Sequence, residues 1–276
     1  MDEVFSDDAA LVRYVTDDSR ARFLDLIPMT DRGVALEIGP GLGQFTANIA
    51  RRVAKVHALE VVPGQARFTL ERCRQEGADN VEAACGSDDC LLPYGDEMFD
   101  VVILNLVFEW CGSRDTGVPA QLAQRRMLQE IYRVLKSGGN LYLATKNRFA
   151  LQYVMGHRDA HAQDVHFGNA LPRWLLALLL RMRGKVGPQG VLYSHRQLAS
   201  LLRGARFSRI KSFWAVPEMR FSTQYVATDA ASIRAARRQP QFVQGEIRRT
   251  KLIMPWIPAA MVRHGTPGLA FLAEKG

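Results

Sequence analysis

A glycine-rich turn flanked by acidic residues is the part of the sequence best suited to chemistry. The stretch E-I-G-P-G-L-G at residues 37–43 follows a predicted strand and opens a predicted helix. Its glycines, Gly39, Gly41 and Gly43, let the backbone turn sharply and approach a ligand that a Cβ atom would exclude. Such a turn is also typical of phosphate-binding loops, so the residues around it must decide between ligands.

Four polar residues near the ends of predicted strands narrow the choice. Glu60 ends the second strand, where a carboxylate can hold two ribose hydroxyls. Asp88 follows the third strand and can accept a hydrogen bond from an adenine amino group, and Asn105 ends the fourth. Glu37 suits a ligand with an ammonium and a sulfonium, whereas a pyrophosphate would repel it. The pattern favours an adenosyl ligand with a cationic tail.

These residues must be positioned by a sheet, and the hydrophobic pattern predicts one. Strands are predicted at 34–38, 55–60, 81–84, 100–105 and 140–145, and helices at 44–54, 65–76 and 119–136 after one or two leading helices over 8–27. Alternating strands and helices with wholly apolar strands are typical of a doubly wound α/β sheet covered on both faces. Such sheets bind ligands at the carboxyl ends of their strands.

Taken together, the motifs resemble those of the class I S-adenosylmethionine-dependent methyltransferases, in the type 11-like branch. The matching stretches are A-L-E-I-G-P-G-L-G at 35–43, V-H-A-L-E at 56–60, L-P-Y at 92–94, F-D-V-V-I-L-N at 99–105 and R-V-L-K-S-G-G-N-L-Y-L-A at 133–144. The resemblance implies S-adenosyl-L-methionine as cofactor. It also implies a seven-stranded, mostly parallel Rossmann-like sheet whose last strand, supplied by residues 269–273, is antiparallel.

The organisation predicted from these elements is one domain over residues 1–276. N-terminal helices occupy 1–30, the cofactor-binding core 31–145, and closing sheet elements 193–216 and 267–276. Basic insertions at 146–192 and 217–266 are predicted to form a lid. Further helices are predicted at 171–183, from the cap Ser194 to residue 202, at 230–238 and at 245–253, with a strand at 207–214.

The charge of the chain is divided unevenly. The net charge is +8, yet residues 1–140 carry 15 basic and 22 acidic side chains, and residues 141–276 carry 21 basic and 6 acidic ones. With 47% hydrophobic residues and four cysteines, the composition excludes a disordered or disulfide-stapled protein. The basic second half predicts that the acceptor of the methyl group is anionic.

Residues after the fifth strand are predicted to bind that acceptor. Lys146, Asn147 and Arg148 leave the carboxyl end of a central strand, and a Lys/Arg pair there suits a phosphate or carboxylate. Tyr153 and Trp110 complete the predicted acceptor site. The segments around them resemble a bacterial branch of methyltransferases linked to polysaccharide and glycoconjugate assembly, which implies a small-molecule or glycan acceptor methylated on a hydroxyl.

A general base is predicted from the histidines of the first insertion. His161 or His157 could take the hydroxyl proton because an imidazole can be neutral and basic near pH 7, and Asp159 could orient it. Glu109 is the alternative base. The histidines could also be surface residues, and their spacing does not predict a metal site.

Two other functions stay open at this point. The stretch N-L-V-F at 105–108 is similar to the N-[LP]-P-[YF] loop of nucleobase N-methyltransferases, although Val107 stands where that loop has proline. An RNA or nucleobase N-methyltransferase is therefore one alternative. The other is a catalytically degenerate cofactor-binding subunit that contributes an interface to a partner.

The sequence also carries information on location. Residues 1–10 lack the basic start and apolar run of a signal peptide, and reduced cysteines suit the cytoplasm. The segment 172–185 combines Trp174 with leucines and flanking basic residues, so it is interpreted as a lid helix or as a helix at an anionic membrane surface. The prediction is a cytoplasmic enzyme with peripheral membrane contact as an option.

Overall fold

A single mixed sheet forms the centre of the fold. The computed structural model describes residues 8–113, 117–155, 158, 160–188, 190–217, 219–222, 224–237 and 256–276. Its strands are β1 (Val34–Ile38), β2 (Lys55–Glu60), β3 (Val81–Cys85), β4 (Phe99–Asn105), β5 (Leu135–Lys146), β6 (Phe207–Val216), β7 (Gln224–Ala227) and β8 (Gly268–Lys275). The predicted α/β class is confirmed.

The strand order is β3-β2-β1-β4-β5-β8-β6-β7. The pairs from β3 to β5 are all parallel, whereas β8 is antiparallel to both β5 and β6. The antiparallel closing strand predicted at 269–273 is therefore confirmed. The carboxyl ends of β1 to β5 lie at one edge of the sheet, where the predicted site residues are found.

Helices cover both faces of this sheet. The α-helices of the described residues are α1 (Asp8–Thr16), α2 (Thr46–Ala50), α3 (Pro63–Gln75), α4 (Ala120–Val134), α5 (Leu151–Val154), α6 (Arg173–Met182), α7 (His195–Gly204), α8 (Ala230–Ala236) and α9 (Ala259–Gly265). Neighbouring residues of a strand point to opposite faces, and both faces are apolar here. Leu36 packs in one core with α4 and α7, and Ala35 in the other with Phe23 and Ile49.

Two predictions about the sheet and its insertions need correction. The sheet has eight strands rather than seven, because β7 adds to the edge through antiparallel pairing with β6. This strand lies within residues 217–266, which were predicted as a lid. The described part of that region instead packs Val226, Ile233 and Val262 around Trp214 of β6, since these side chains are apolar and the sheet edge is uncovered. The helix predicted at 245–253 lies outside the described residues.

Some element boundaries also differ from the prediction. The helix predicted over 44–54 is limited to Thr46–Ala50, because the glycine turn extends to its start. The helix predicted over 119–136 ends at Val134, and β5 begins at Leu135, so the S-G-G stretch at 137–139 belongs to the strand. Ser194 caps α7 as predicted, accepting a hydrogen bond from the Gln197 amide while the Gln197 side chain accepts one from the Ser194 amide.

The first insertion contains α6, as predicted. Leu176 and Leu180 are buried against Ala162 and Val165, so the inner face of the helix packs on its own insertion. The outer face carries Trp174, Leu178 and Met182, whose exposed fractions are 70%, 50% and 76%. No described helix is long and apolar enough to span a membrane. Contact of this outer face with an anionic membrane surface stays a prediction.

Candidate active site

A cavity of about 300 Å³ lies where the carboxyl ends of β1, β2, β3 and β4 meet. Four of the predicted site residues line it: Gly39, Glu60, Asp88 and Trp110. Each lies at the carboxyl end of a different strand or in the loop that follows it, and parallel strands bring these ends together at one edge. The sheet topology thus assembles residues that are up to 71 positions apart in sequence.

The glycine turn forms one wall of this cavity. The Gly39 amide donates to the Leu59 carbonyl at 2.8 Å, and the residue has a φ angle of +71°. A Cβ atom at Gly39 would lie 2.5 Å from Cγ2 of Val107, which lines the same cavity. Only glycine therefore allows the turn and the loop after β4 to pack this closely.

The carboxylate of Glu60 is held by backbone amides. Its Oε1 accepts from the amides of Val61 at 2.8 Å and Val62 at 3.2 Å, and its Oε2 accepts from Gly41 at 3.1 Å. The side chain is buried, so these donors offset the cost of removing the charge from water. The predicted ribose-binding carboxylate thereby links the glycine turn to the end of β2.

Glu37 lies behind the turn rather than in the described lining of the cavity. It is buried, and its Oε2 accepts from the Thr46 hydroxyl at 2.6 Å. Burial raises the pKa of Glu37 to about 7, and the nearby charge of Glu60 acts in the same direction. Gly41, Gly43 and the half-buried Asn105 are likewise outside the described lining, although the first is bonded to Glu60.

The raised pKa of Glu37 predicts a pH dependence of stability. In the unfolded chain this carboxyl loses its proton near its ordinary pKa of 4.5, whereas the folded protein keeps the proton up to about 7. The folded state binds more protons in this interval, so the free energy of unfolding falls as pH rises through it and levels off above it.

We expect the unfolding free energy of the wild type to fall relative to that of Glu37→Gln as the pH rises from about 4 to about 8. The fall should be at most about 3 kcal/mol. Urea unfolding of both proteins across this range measures it. The glutamine variant keeps the size and the acceptor for Thr46 but does not titrate. A pH-independent difference between the two proteins would contradict the assignment.

A second cavity of about 90 Å³ lies on the far side of Trp110. Among its lining residues are Arg148, His161, Asn169 and Arg173. The rings of Trp110 and His161 pack with their centroids 4.1 Å apart and their planes at 34°. Since Trp110 lines the first cavity and His161 the second, this ring contact joins the linings of the two cavities.

Glu109 is not among the described residues that line either cavity. Its side chain is buried, and its backbone carbonyl accepts from the Val191 amide at 2.9 Å. The same carbonyl would lie 2.3 Å from a Cβ atom at Gly190, so this contact requires glycine. The structure therefore places Glu109 at the junction of two loops, and His161 is the better placed of the candidate bases. His157 and Asp159 lie outside the described residues.

The structure corrects the role of Asn147. Its Nδ2 donates to the carbonyls of His264 at 3.0 Å and Thr266 at 2.9 Å, and its Oδ1 accepts from the Phe149 amide. The side chain is fully buried and lines neither described cavity. Asn147 fixes the end of α9 and the loop before β8 to the end of β5 instead of contacting an acceptor, since its amide satisfies backbone carbonyls there.

Two further predicted acceptor residues are also placed elsewhere. Tyr153 is buried against Ala150 and Leu192. Lys146 ends β5, where it pairs with Gly268 of β8, and it is not in the described lining of either cavity. Of the residues predicted to bind the acceptor, Arg148 and Trp110 are the ones that face these cavities.

Several cavity residues were missed by the sequence interpretation. Ser87, Gln65 and Cys90 line the first cavity, and Asn169 and Arg173 line the second. Ser87 adjoins the predicted Asp88 and could have been included with it. No local motif marks Asn169 and Arg173. They come close to Arg148 through the path of the first insertion, which the sequence does not predict. Within the described residues, no group of three potential metal ligands comes together.

Comparisons with known proteins agree with this geometry. Residues 36–143 match the family model described as a methyltransferase domain. Residues 36–143 form a methyltransferase domain. The resemblance stated from the sequence motifs is thereby confirmed, and the matched residues include the last three residues of β1, all of β2 to β4 and α4, and most of β5.

Individual relatives cover only part of the chain. It is 36% identical over 126 residues to the biotin biosynthesis bifunctional protein BioHC of Cellvibrio japonicus, covering 45% of this chain and 22% of that one. It is 32% identical over 139 residues to the malonyl-[acyl-carrier protein] O-methyltransferase of Methylococcus capsulatus, covering 50% and 45%. The chain thus spans less than half the length of these two relatives.

The fold extends further than the sequence similarity. A SAM-dependent methyltransferase from Thermotoga maritima superposes with a TM-score of 0.55 at 18% identity, over 96% of this chain and 92% of that one. At this identity the similarity shows the fold alone.

Proposed function

We propose that this protein, acting in the cytoplasm, transfers a methyl group from S-adenosylmethionine to a hydroxyl of a small polar, glycan-type or secondary-metabolite acceptor with an anionic group. The proposal is carried by the two cavities that meet at the Trp110–His161 ring pair. One contains carboxylates from the methyltransferase motifs. In its described lining the other contains two arginines and no acidic residue. A two-substrate enzyme needs such neighbouring sites to bring its reactants together.

The first cavity fits S-adenosylmethionine in size and in chemistry. Its volume of about 300 Å³ is within the range of small-ligand sites. Glu60 would hold the ribose hydroxyls and Asp88 the adenine amino group. When bound, the cofactor supplies an electrophilic methyl group. Apolar side chains such as Leu59, Val62 and Val107 would cover the adenine.

The residues at the junction would act on the acceptor. His161 is almost fully buried and lines the acceptor cavity, so a hydroxyl bound there would be screened from water. A neutral imidazole can take up the proton that the hydroxyl loses on methylation. Trp110 packs against this imidazole and fixes its position. The relatives named as O-methyltransferases support oxygen as the methylated atom.

The test is an acceptor screen with labelled S-adenosylmethionine on the full chain. Its arms are sugars, sugar phosphates, malonyl-[acyl-carrier protein] and tRNA. We expect label in a small anionic acceptor and a loss of about a hundredfold or more in kcat for His161→Ala. His166→Ala, in the same insertion but exposed, is the matched control and should keep the wild-type rate.

Each other outcome has a defined meaning. Label in tRNA alone would replace the proposal by the nucleic-acid alternative. Binding of the cofactor with no methylation of any arm would favour a degenerate partner subunit. Full turnover by His161→Ala would refute the role of His161 as base while leaving the acceptor class intact.

A further inference from the structure

The cavity behind His161 is lined by hydrogen-bond donors. The Arg148 guanidinium donates from Nε to the Asn169 carbonyl at 3.2 Å and from Nη2 to the Leu171 carbonyl at 3.0 Å. The Arg148 amide also donates to the Tyr193 carbonyl at 3.0 Å. These bonds fix the guanidinium in the cavity wall while using only part of its five N–H groups.

A second guanidinium closes the same cavity from the start of α6. Arg173 donates from Nη1 to the Gly190 carbonyl at 2.6 Å and from Nη2 to the Pro188 carbonyl at 3.1 Å. Burial lowers the pKa of Arg173, and the nearby charge of Arg148 adds to this effect. All four acceptors of the two guanidiniums are neutral carbonyls. Two full positive charges therefore stand close together, and no carboxylate is in the described lining of their cavity.

Asn169 adds an independent observation. Its Nδ2 is buried and has no hydrogen-bond acceptor among the described residues, although it belongs to the lining of the same cavity. A buried donor without an acceptor costs free energy. An oxyanion between the guanidiniums and this amide would supply the acceptor and balance the charge at once.

We propose that Arg148, Arg173 and Asn169 form an oxyanion subsite for the carboxylate or phosphate of the acceptor. This proposal rests on the proposed function and specifies its acceptor site. Arginine pairs bind carboxylate and phosphate oxygens well because their donors match the oxygen geometry. The cavity of about 90 Å³ holds the anionic group rather than a whole acceptor. The rest of the acceptor then extends past His161 towards Trp110 and the first cavity.

The subsite is tested by anion binding to protein saturated with S-adenosylhomocysteine. Inorganic phosphate and acetate are titrated separately at constant ionic strength, and the thermal unfolding midpoint is followed. We expect a saturable rise of the unfolding midpoint with one or both anions. A stronger effect of phosphate would indicate a phosphorylated acceptor, and a stronger effect of acetate a carboxylate acceptor. Asn169→Asp should weaken this binding by about tenfold or more, because it places a like charge beside the anion at nearly unchanged size.

Controls separate this result from loss of structure or of the proposed function. Arg181→Gln changes an exposed charge on the same helix and should leave the anion titration unchanged. S-Adenosylhomocysteine binding should be the same in Asn169→Asp and the wild type, which also shows that the variant is folded. No saturable effect of either anion on the wild type, or equal anion binding by Asn169→Asp, would overturn the subsite. If the wild type does not bind S-adenosylhomocysteine, the proposed function is refuted instead.

Discussion

Gly39→Ala is expected to weaken the binding of S-adenosylhomocysteine by more than about tenfold, the largest effect that we predict for a single methyl group. The positive φ angle of +71° strains any residue with a Cβ atom, and the new methyl group would overlap Val107 at 2.5 Å. The backbone cannot relieve this overlap without moving the turn or the loop that lines the cavity. Calorimetric titration of the full chain measures the change.

Two companion variants isolate the cause. Gly77→Ala has nearly the same φ angle, +73°, but nothing lies within 4 Å of its Cβ position, so it reports backbone strain alone. It should lose stability and keep its affinity. Adding Val107→Ala to Gly39→Ala removes the overlapping methyl groups and should recover part of the lost affinity. Wild-type affinity in Gly39→Ala would contradict the described packing of the turn.

Glu60→Gln is expected to lower the same affinity by roughly ten- to a hundredfold, from about 1.5–3 kcal/mol for a hydrogen bond to a charged group. The carboxylate accepts from three backbone amides, and an amide nitrogen at either position would face another donor. The turn would lose its link to the end of β2, and the cofactor would lose a charged acceptor for its ribose. Calorimetry and urea unfolding together separate the two losses.

Glu82→Gln is the matched control for this substitution. Glu82 also lies in a strand of the sheet, but its carboxylate pairs with Lys55 at the surface. Surface ion pairs contribute little, so the control should differ little from the wild type in both measurements. If Glu60→Gln bound S-adenosylhomocysteine as tightly as this control, the carboxylate would have no role in the cofactor site.

Much of the sheet could be predicted because its central strands carry their own signal. β1 and β2 have the predicted boundaries, since strands buried on both faces consist of apolar runs bounded by turns. The edge strand β7 could not be predicted in this way. Its four residues, Q-Y-V-A, are too few for a periodic signal, and its pairing with β6 depends on contacts with α8 and α9.

The residues of the two cavities also differ in how far they could be predicted from the sequence. Glu60 and Asp88 follow strands whose order is set by the sheet, so their convergence at one cavity could be expected from sequence. The acceptor side depends on how the first insertion folds back. Asn147 was predicted to bind the acceptor, yet its polar groups satisfy backbone atoms next to β8, 117 and 119 residues away. Asn169 is bonded to Arg148 through its backbone carbonyl, and Arg173 is held at the same cavity by the Gly190 carbonyl. No sequence pattern marks these contacts.

The most direct test of the central claim is calorimetric titration of the full chain with S-adenosylhomocysteine. Binding at a single site in the micromolar range, weakened in Gly39→Ala and Glu60→Gln but retained in Gly77→Ala and Glu82→Gln, is the predicted result. It would show that the cavity at the ends of β1 to β4 holds the cofactor. Absence of binding to the wild type, or binding that both cavity variants retain in full, would contradict the account.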